Sequence, residues 1–238
     1  KVVSMNRKTK TEAVYNVHQA LELSVYIDDE QGFIKSGYGF YDSDLGEETK
    51  DNKTMIFQYM TGVLDMPYIS YSQKERAVEI REYFKQSLVG KKLMGTLNSF
   101  EDGVIKSIGV EETSGFGISV IASLPNSLRV AKKRDNLDDW FDDHRNKSEF
   151  VGRRGERLRF KALVRDVKFI AKYGIHLVTC VDENENIVKF FYSKEPDISG
   201  LLEGKSIVLT GKVKQHDISK FSQCKETVIN YVKVEEST

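Results

Sequence analysis

Arg157, Arg159 and Lys161 stand at alternate positions of RLRFKALVR, with Leu158, Phe160, Ala162 and Val164 between them. Successive side chains of an extended chain point to opposite sides, so this run predicts a strand with an apolar inner side and a cationic outer side. Lys189, Lys212 and Lys214 add charge to later alternating stretches. Phe169, Lys172, Tyr173 and Phe191 place rings and further charge among them, and His216, Lys220 and Phe221 share one loop, HDISKFSQCK. These residue types suit a grip on a flexible polyanion. Spaced cations meet phosphates, giving a salt-dependent term, and flat rings stack splayed bases at about 1–3 kcal/mol each. The plain alternative is that the rings pack the rim of a small core and the lysines are simply solvated. Phe190 and Phe191 bear on that choice, because neighbours in a strand face opposite ways and only one of them can fill a core.

Other chemistries find less support. GLLEGKSIVLTG has Gly200 one residue too close to Gly204-Lys205-Ser206 for a phosphate-cradling loop, and β-branched strand follows where such a loop requires a helix. Asp138, Asp139, Asp142 and Asp143, with His144, are the one cluster of metal-ligand type. Carboxylates four apart share a helix face, as a metal-dependent nuclease would need, but a solvated acidic face explains them equally well. Trp140 and Phe141, inside that cluster, are candidates for contact with a protein partner. Cys180 and Cys224 lie far apart with no C-x-x-C pattern, and His216 has no ligand companions, so neither a disulfide framework nor a bound metal is expected. No nucleophile or paired-carboxylate motif is present, and neither an enzyme nor a cofactor is expected.

The elements that must position these residues change character along the chain. The first part reads as mainly helical. Its clearest element is 72–88, where Ser72 and Glu75 have capping-box spacing and Ala77, Ile80, Phe84 and Leu88 form one apolar stripe. Shorter helical patterns fall at 11–23, 52–63, 99–108 and 115–124, with Pro125 ending or kinking the last. Residues 34–45, containing GYGFYDSD, read as a turn or irregular loop. DNLDDWFDDHRNKSE then reads as a helical turn or two followed by an acidic linker. Beyond it the alternation predicts strands at about 158–165, 175–181, 187–193, 206–214 and 227–234. Hairpin turns fall at 172–174 and 182–186, and a longer connection, with room for a short helix, at 196–204.

Five strands with the long connection between the third and fourth is the order of an OB fold, which binds ligands on strands two and three and with the loops joining strands one to two and four to five. The expected fold is therefore α+β: a mainly helical domain over 1–134, an acidic linker over 135–150 and an OB barrel over 151–238. Charge supports the division. The whole chain of 238 residues balances 36 basic against 36 acidic residues, but from Val151 onward 16 Lys and Arg meet 12 Asp and Glu, a net of +4, leaving −4 on the first 150. A basic excess on one module fits a polyanion ligand. No apolar run approaches the roughly 20 residues of a membrane helix, so no membrane association is expected and the cytoplasm is the expected location.

The barrel segments VGRRGERLRF, VKFIAKYG, NIVKFFYS, LEGKSIVLTGKVKQHD and KETVINYVKV resemble those of bacteriophage OB-fold single-stranded-DNA-binding and replication-associated proteins. REYFKQSL and IASLPNSLRVAKKR are similar, more loosely, to the helical part of such proteins. Two departures stand out: Phe190, Phe191 and Tyr192 occupy a strand that often carries tryptophan in that family, and ISKFSQC lacks a glycine usual in its loop. The resemblance implies single-stranded DNA as ligand, with RNA as a further candidate, no sequence reading, and a helical domain serving self-association or contact with replication proteins. In a phage-encoded protein the site of action would be the host cytoplasm. A protein-binding scaffold built on the same barrel is the alternative.

Overall fold

The computed structural model describes residues 13–43, 46–196 and 200–236. Contacts divide the chain into two compact units, Lys1–Lys132 and Lys133–Thr238.

In the first unit, helix α1 (Val17–Gln31) follows a short strand β1 (Tyr15–Asn16), which pairs with β4 (Glu112–Thr113). Asn16 caps α1 by accepting from Gln19 N at 2.9 Å. The predicted start of this helix at 11–12 lies outside the described residues. Helices α2 (Asn52–Met60), α3 (Tyr71–Leu93), α4 (Ser99–Ile108) and α5 (Gly115–Ile121) surround it. Leu21, Ile56, Ile80, Ile108, Ile118 and Ile121 form a shared core. The stripe Ala77, Ile80, Phe84 and Leu88 of α3 is buried as its spacing requires. Its cap lies two residues before the predicted one: Ser70 accepts from Gln73 N at 3.3 Å, while the Gln73 side chain accepts from Ser70 N at 2.9 Å. The same reciprocal geometry forms at either spacing, and glutamine at the third helical position serves as well as glutamate. The stretch read as an irregular loop contains β2 (Phe40–Asp42), paired antiparallel with β3 (Glu47–Thr49).

Helix α6 (Leu124–His144) carries Pro125 in its first turn, where the missing N–H costs nothing, so the proline opens this helix. Its later residues belong to the second unit. The expected acidic linker is therefore helical as far as His144, and residues 145–156 connect the helix to the first strand of the barrel.

The second unit is a closed five-stranded barrel. Strands β5 (Arg157–Ile170), β6 (Ile175–Asp182), β7 (Ile187–Tyr192), β8 (Ser206–Ile218) and β9 (Lys225–Glu236) lie in the order β5-β6-β7-β9-β8, and β8 pairs back onto the first half of β5. All neighbours are antiparallel except β7 and β9, which are parallel over Ile187–Lys189 and Glu226–Val228. This is an OB-type barrel, and with the helical first unit the chain is α+β. Its core holds Val164, Val178, Cys180, Val188, Phe190, Leu209 and Val213. Part of the connection between β7 and β8, residues 197–199, is outside the described residues, as is any short helix there.

Three strands carry one residue more than their neighbour. Pairing shifts register at Arg165 in β5 (against β6), at Lys214 in β8 and at Tyr231-Val232 in β9, opposite Gly211. Such bulges re-aim side chains while the rest of the strand keeps its facing.

The parallel junction is short, and the segment after α6 seals it. Ser148, almost fully buried, donates from Oγ to Lys225 O at 2.7 Å on β9 and accepts from Ile187 N at 2.9 Å on β7. Val151 N donates to Thr227 Oγ1 at 2.9 Å just beyond. Replacing Ser148 by alanine leaves a buried carbonyl and a buried amide unsatisfied at about 1–3 kcal/mol each. Chemical denaturation followed by a barrel-specific probe is expected to show Ser148→Ala destabilised by about 2 kcal/mol or more.

Candidate nucleic-acid interface

The register of the barrel decides which predicted residues meet. Val167, Val178 and Phe190 lie opposite one another across β5, β6 and β7 and point inward. One residue further along, Lys168, Leu177 and Phe191 form the next cross-strand row and point outward. Phe190 is 0% exposed and Phe191 52%. The adjacent pair therefore divides as strand geometry demands, one ring in the core and one in solvent.

Beyond that row the β5–β6 hairpin runs past the core and closes through 171–174. Tyr173 at its tip is exposed, with Lys172 Nζ 5.2 Å from the ring centroid. Phe169 pairs with His176, its ring 5.0 Å away. By register Phe169 lies on the inward-facing side of this ribbon, opposite to Phe191, and it is exposed because the hairpin has left the core behind. Lys168 and Lys172 have no ion-pair partner among the described residues.

A second outward row on β5, β6 and β7, Asp166–Thr179–Lys189, is covered by the chain itself. Lys133 of α6 pairs with Asp166 at 3.4 Å and also with Glu203. The Arg165 guanidinium, on the bulge, lies 5.5 Å from the Trp140 ring centroid, and Lys189 Nζ lies 5.1 Å from that of Phe141. Lys189 is further tied to Glu226 at 2.7 Å, both side chains being largely buried. It is a structural cation and not one offered to phosphate. Trp140 and Phe141, expected to face a partner, are half-buried on the barrel wall, and the His144 ring lies tilted against that of Trp140, centroids 4.2 Å apart. Asp138, Asp139, Asp142 and Asp143 stay exposed, with Asp142 paired to Arg145. No group of three or more His, Cys, Asp or Glu among the described residues is arranged to hold a metal.

The other predicted cations lie elsewhere on the barrel. Arg157, Arg159 and Lys161 occupy the half of β5 that pairs with β8, where Arg157 faces Lys212 and Arg159 faces Thr210. Lys214 projects from its bulge on β8. These five residues line a different wall from Phe191, so the cations and rings picked out by the sequence are divided between two surfaces. The physical reason is closure: β5 pairs with β8 along its first half and with β6 along its second, and its outward side turns with the barrel between them. Within the first wall Arg159 pairs with Glu235 at 2.7 Å, both exposed.

The loop between β8 and β9 is shorter than expected, because β8 continues through Ile218. His216 is in the strand, its ring stacked 4.6 Å from that of Phe150 and its Nε2 3.3 Å from Val151 O. Phe221 is 98% exposed and Lys220 accompanies it. Arg145 Nε donates to Ser222 O at 3.3 Å and Cys224 Sγ to Phe141 O at 3.2 Å, fixing the base of this loop to the end of α6.

Sequence reasoning missed Lys168, Tyr231 and Lys233. Lys168 precedes the more conspicuous Phe169 and gains meaning only from its row with Phe191. Tyr231 reads as an ordinary strand tyrosine, and nothing in the sequence marks its bulge.

Both thiols are buried. Burial alone pushes Cys180 up to about 12, and Cys224 is likewise raised, chiefly by burial. A raised thiol holds its proton at neutral pH, so neither supplies a reactive thiolate.

Comparisons with protein-family models, with curated proteins and with solved structures find no match to this chain. The fold by itself defines the class, an OB-type barrel following a helical unit. None of the described helices is long and apolar enough to cross a membrane.

Two measurements check this geometry. Phe190→Ala is expected to cost about 3–5 kcal/mol of stability, and Phe191→Ala less than about 0.5. Iodoacetamide at neutral pH is expected to label neither Cys180 nor Cys224 in the native protein and both once it is unfolded.

Proposed function

We propose that this protein binds single-stranded nucleic acid, DNA foremost, without reading sequence and without catalysing a reaction. The observation that carries this reading is that all four rings singled out by the sequence, Phe169, Tyr173, Phe191 and Phe221, are solvent-exposed on a barrel whose core is already filled by Phe190. Exposing a large ring forgoes about 1.5–3 kcal/mol of burial, and the exposed rings of Phe191 and Tyr173 with Lys168 and Lys172, unpaired among the described residues, supply what a splayed strand needs. The primary surface is the outward row Lys168–Leu177–Phe191 with the hairpin tip Lys172–Tyr173. It runs from the end of strand one across strands two and three and onto the loop joining strands one and two, the region with which OB barrels hold oligonucleotides. The net positive charge of the barrel half favours the same ligand.

The likeness of the barrel segments to phage single-stranded-DNA-binding proteins is the ground for assigning a role in phage-type replication or recombination, in the cytoplasm of a host. The first unit, whose surface exposes Tyr68 and Tyr71, is proposed to contact replication proteins or a second copy.

Fluorescence anisotropy with labelled oligothymidine tests the function. Binding at micromolar protein is expected, weakening as salt rises from about 50 to about 200 mM. Tyr173→Ala with Phe191→Ala is expected to weaken it by roughly a hundredfold, at about 1–3 kcal/mol per lost stack. Phe169→Ala, on the other side of the ribbon, is expected to weaken it much less. Absence of binding, or binding indifferent to salt, would remove the proposal. RNA and duplex competitors rank the ligand classes.

A further inference from the structure

Tyr231 is a strained residue in a prominent place. Its φ of 52° is in the left-handed region, which is strained for a tyrosine and which glycine adopts without penalty. Bulges of this kind ordinarily carry glycine at the left-handed position. Here Tyr231 and Val232 oppose Gly211 on β8, and Gly211 has no room for a side chain, since a Cβ would come within 2.9 Å of Ile229 Cδ1. Val232 packs toward the core, whereas the Tyr231 ring is 75% exposed. The bulge therefore spends backbone energy to hold a bare ring outside the barrel.

What surrounds that ring is cationic. Across the wall of β5, β8 and β9 the outward rows are Arg157–Lys212–Asn230, beside which Tyr231 emerges, then Arg159–Thr210–Lys233, then Lys161–Val208–Glu235. Arg157, Lys161, Lys212, Lys214 and Lys233 are exposed and have no ion-pair partner among the described residues. Positions two apart on a strand are separated by roughly 6.8 Å and neighbouring strands by about 4.8 Å, so the charges form a compact two-dimensional array with Tyr231 at its edge. An array placed only for solubility would intersperse both signs. On this wall Glu235 is the one acid in the three rows.

We propose that this wall is a second contact for the same nucleic acid strand, with Tyr231 as a stacking platform and Arg157, Lys161, Lys212 and Lys233 as phosphate contacts. The inference rests on the single-strand reading and deepens it. A strand held at Phe191 and Tyr173 continues onto the β5–β8–β9 wall, so that affinity rises with length until both surfaces are engaged. The αL tyrosine is explained by this role, because a glycine would serve the fold better and could not stack.

The test uses the full chain with labelled oligothymidines of about 6 and about 20 nucleotides, which bracket the site sizes of OB folds. Wild type is expected to bind the longer one much more tightly. Tyr231→Gly is expected to keep or raise the melting temperature, yet to weaken the longer complex about tenfold and leave the shorter one unchanged; Tyr231→Phe is expected to restore binding. Lys212→Gln with Lys233→Gln is expected to reduce the salt slope for the longer strand by about 1.4, two phosphate contacts at about 0.7 each. If the longer strand binds Tyr231→Gly and the lysine variant as it binds wild type, the second contact is overturned while the primary surface stands. If wild type binds neither length, both readings fall. If duplex of equal length binds the wall better than the single strand, the stacking role is overturned.

Discussion

The barrel exists because β7 and β9 meet in parallel across three residue pairs. Every other seam is an antiparallel ladder of six or more pairs, and this one alone is parallel. A parallel pair so short is a weak seal, and the Ser148 hydroxyl reinforces it by bridging a carbonyl on one strand to an amide on the other. Once the seam is closed, the outward sides of β5 through β9 can no longer share one plane. The division of cations and rings between two walls follows from that closure and from nothing in the local sequence.

The same constraint explains the helical arm. The outer face of β5, β6 and β7 carries one row of Lys168, Leu177 and Phe191 and another of Asp166, Thr179 and Lys189. The second is occupied by α6, with Trp140 and Phe141 set against Arg165 and Lys189. A buried lysine requires a partner, and Glu226 supplies it. The face is thus half furnished by the chain and half open, and the open half is the one with the exposed ring.

Local pattern was a good guide where local forces decide. The apolar stripe of α3, the span of α4, the five strands and the opposite facing of Phe190 and Phe191 all follow from spacing alone. It failed where the deciding partner is remote. Asp135 to His144 read as linker because their own composition is acidic and polar, whereas their helix is supported by residues of β5 and β7. Lys189 read as a free cation because Glu226 is distant in sequence. His216 read as a loop residue because the extension of β8 depends on its pairing with β9. Arg165, Lys214 and Tyr231 could not be recognised as bulges, since an extra residue is visible only when two strands are laid side by side.

Those three extra residues have a genetic corollary. Side-chain facing in a strand repeats every two residues, so each bulge restores the phase that its own additional residue would otherwise break. Substitution at 165, 214 or 231 leaves that phase intact. Removal of the codon at any of them would leave a regular ladder with the same facing, Val164 in and Asp166 out, Val213 in and Gln215 out, Asn230 out and Val232 in, whereas removal of a codon elsewhere in these strands would exchange inside for outside along the remainder. A loss of length among descendants of this sequence is therefore expected at these three positions first, and its cost is the charge or ring that each bulge now presents rather than the core.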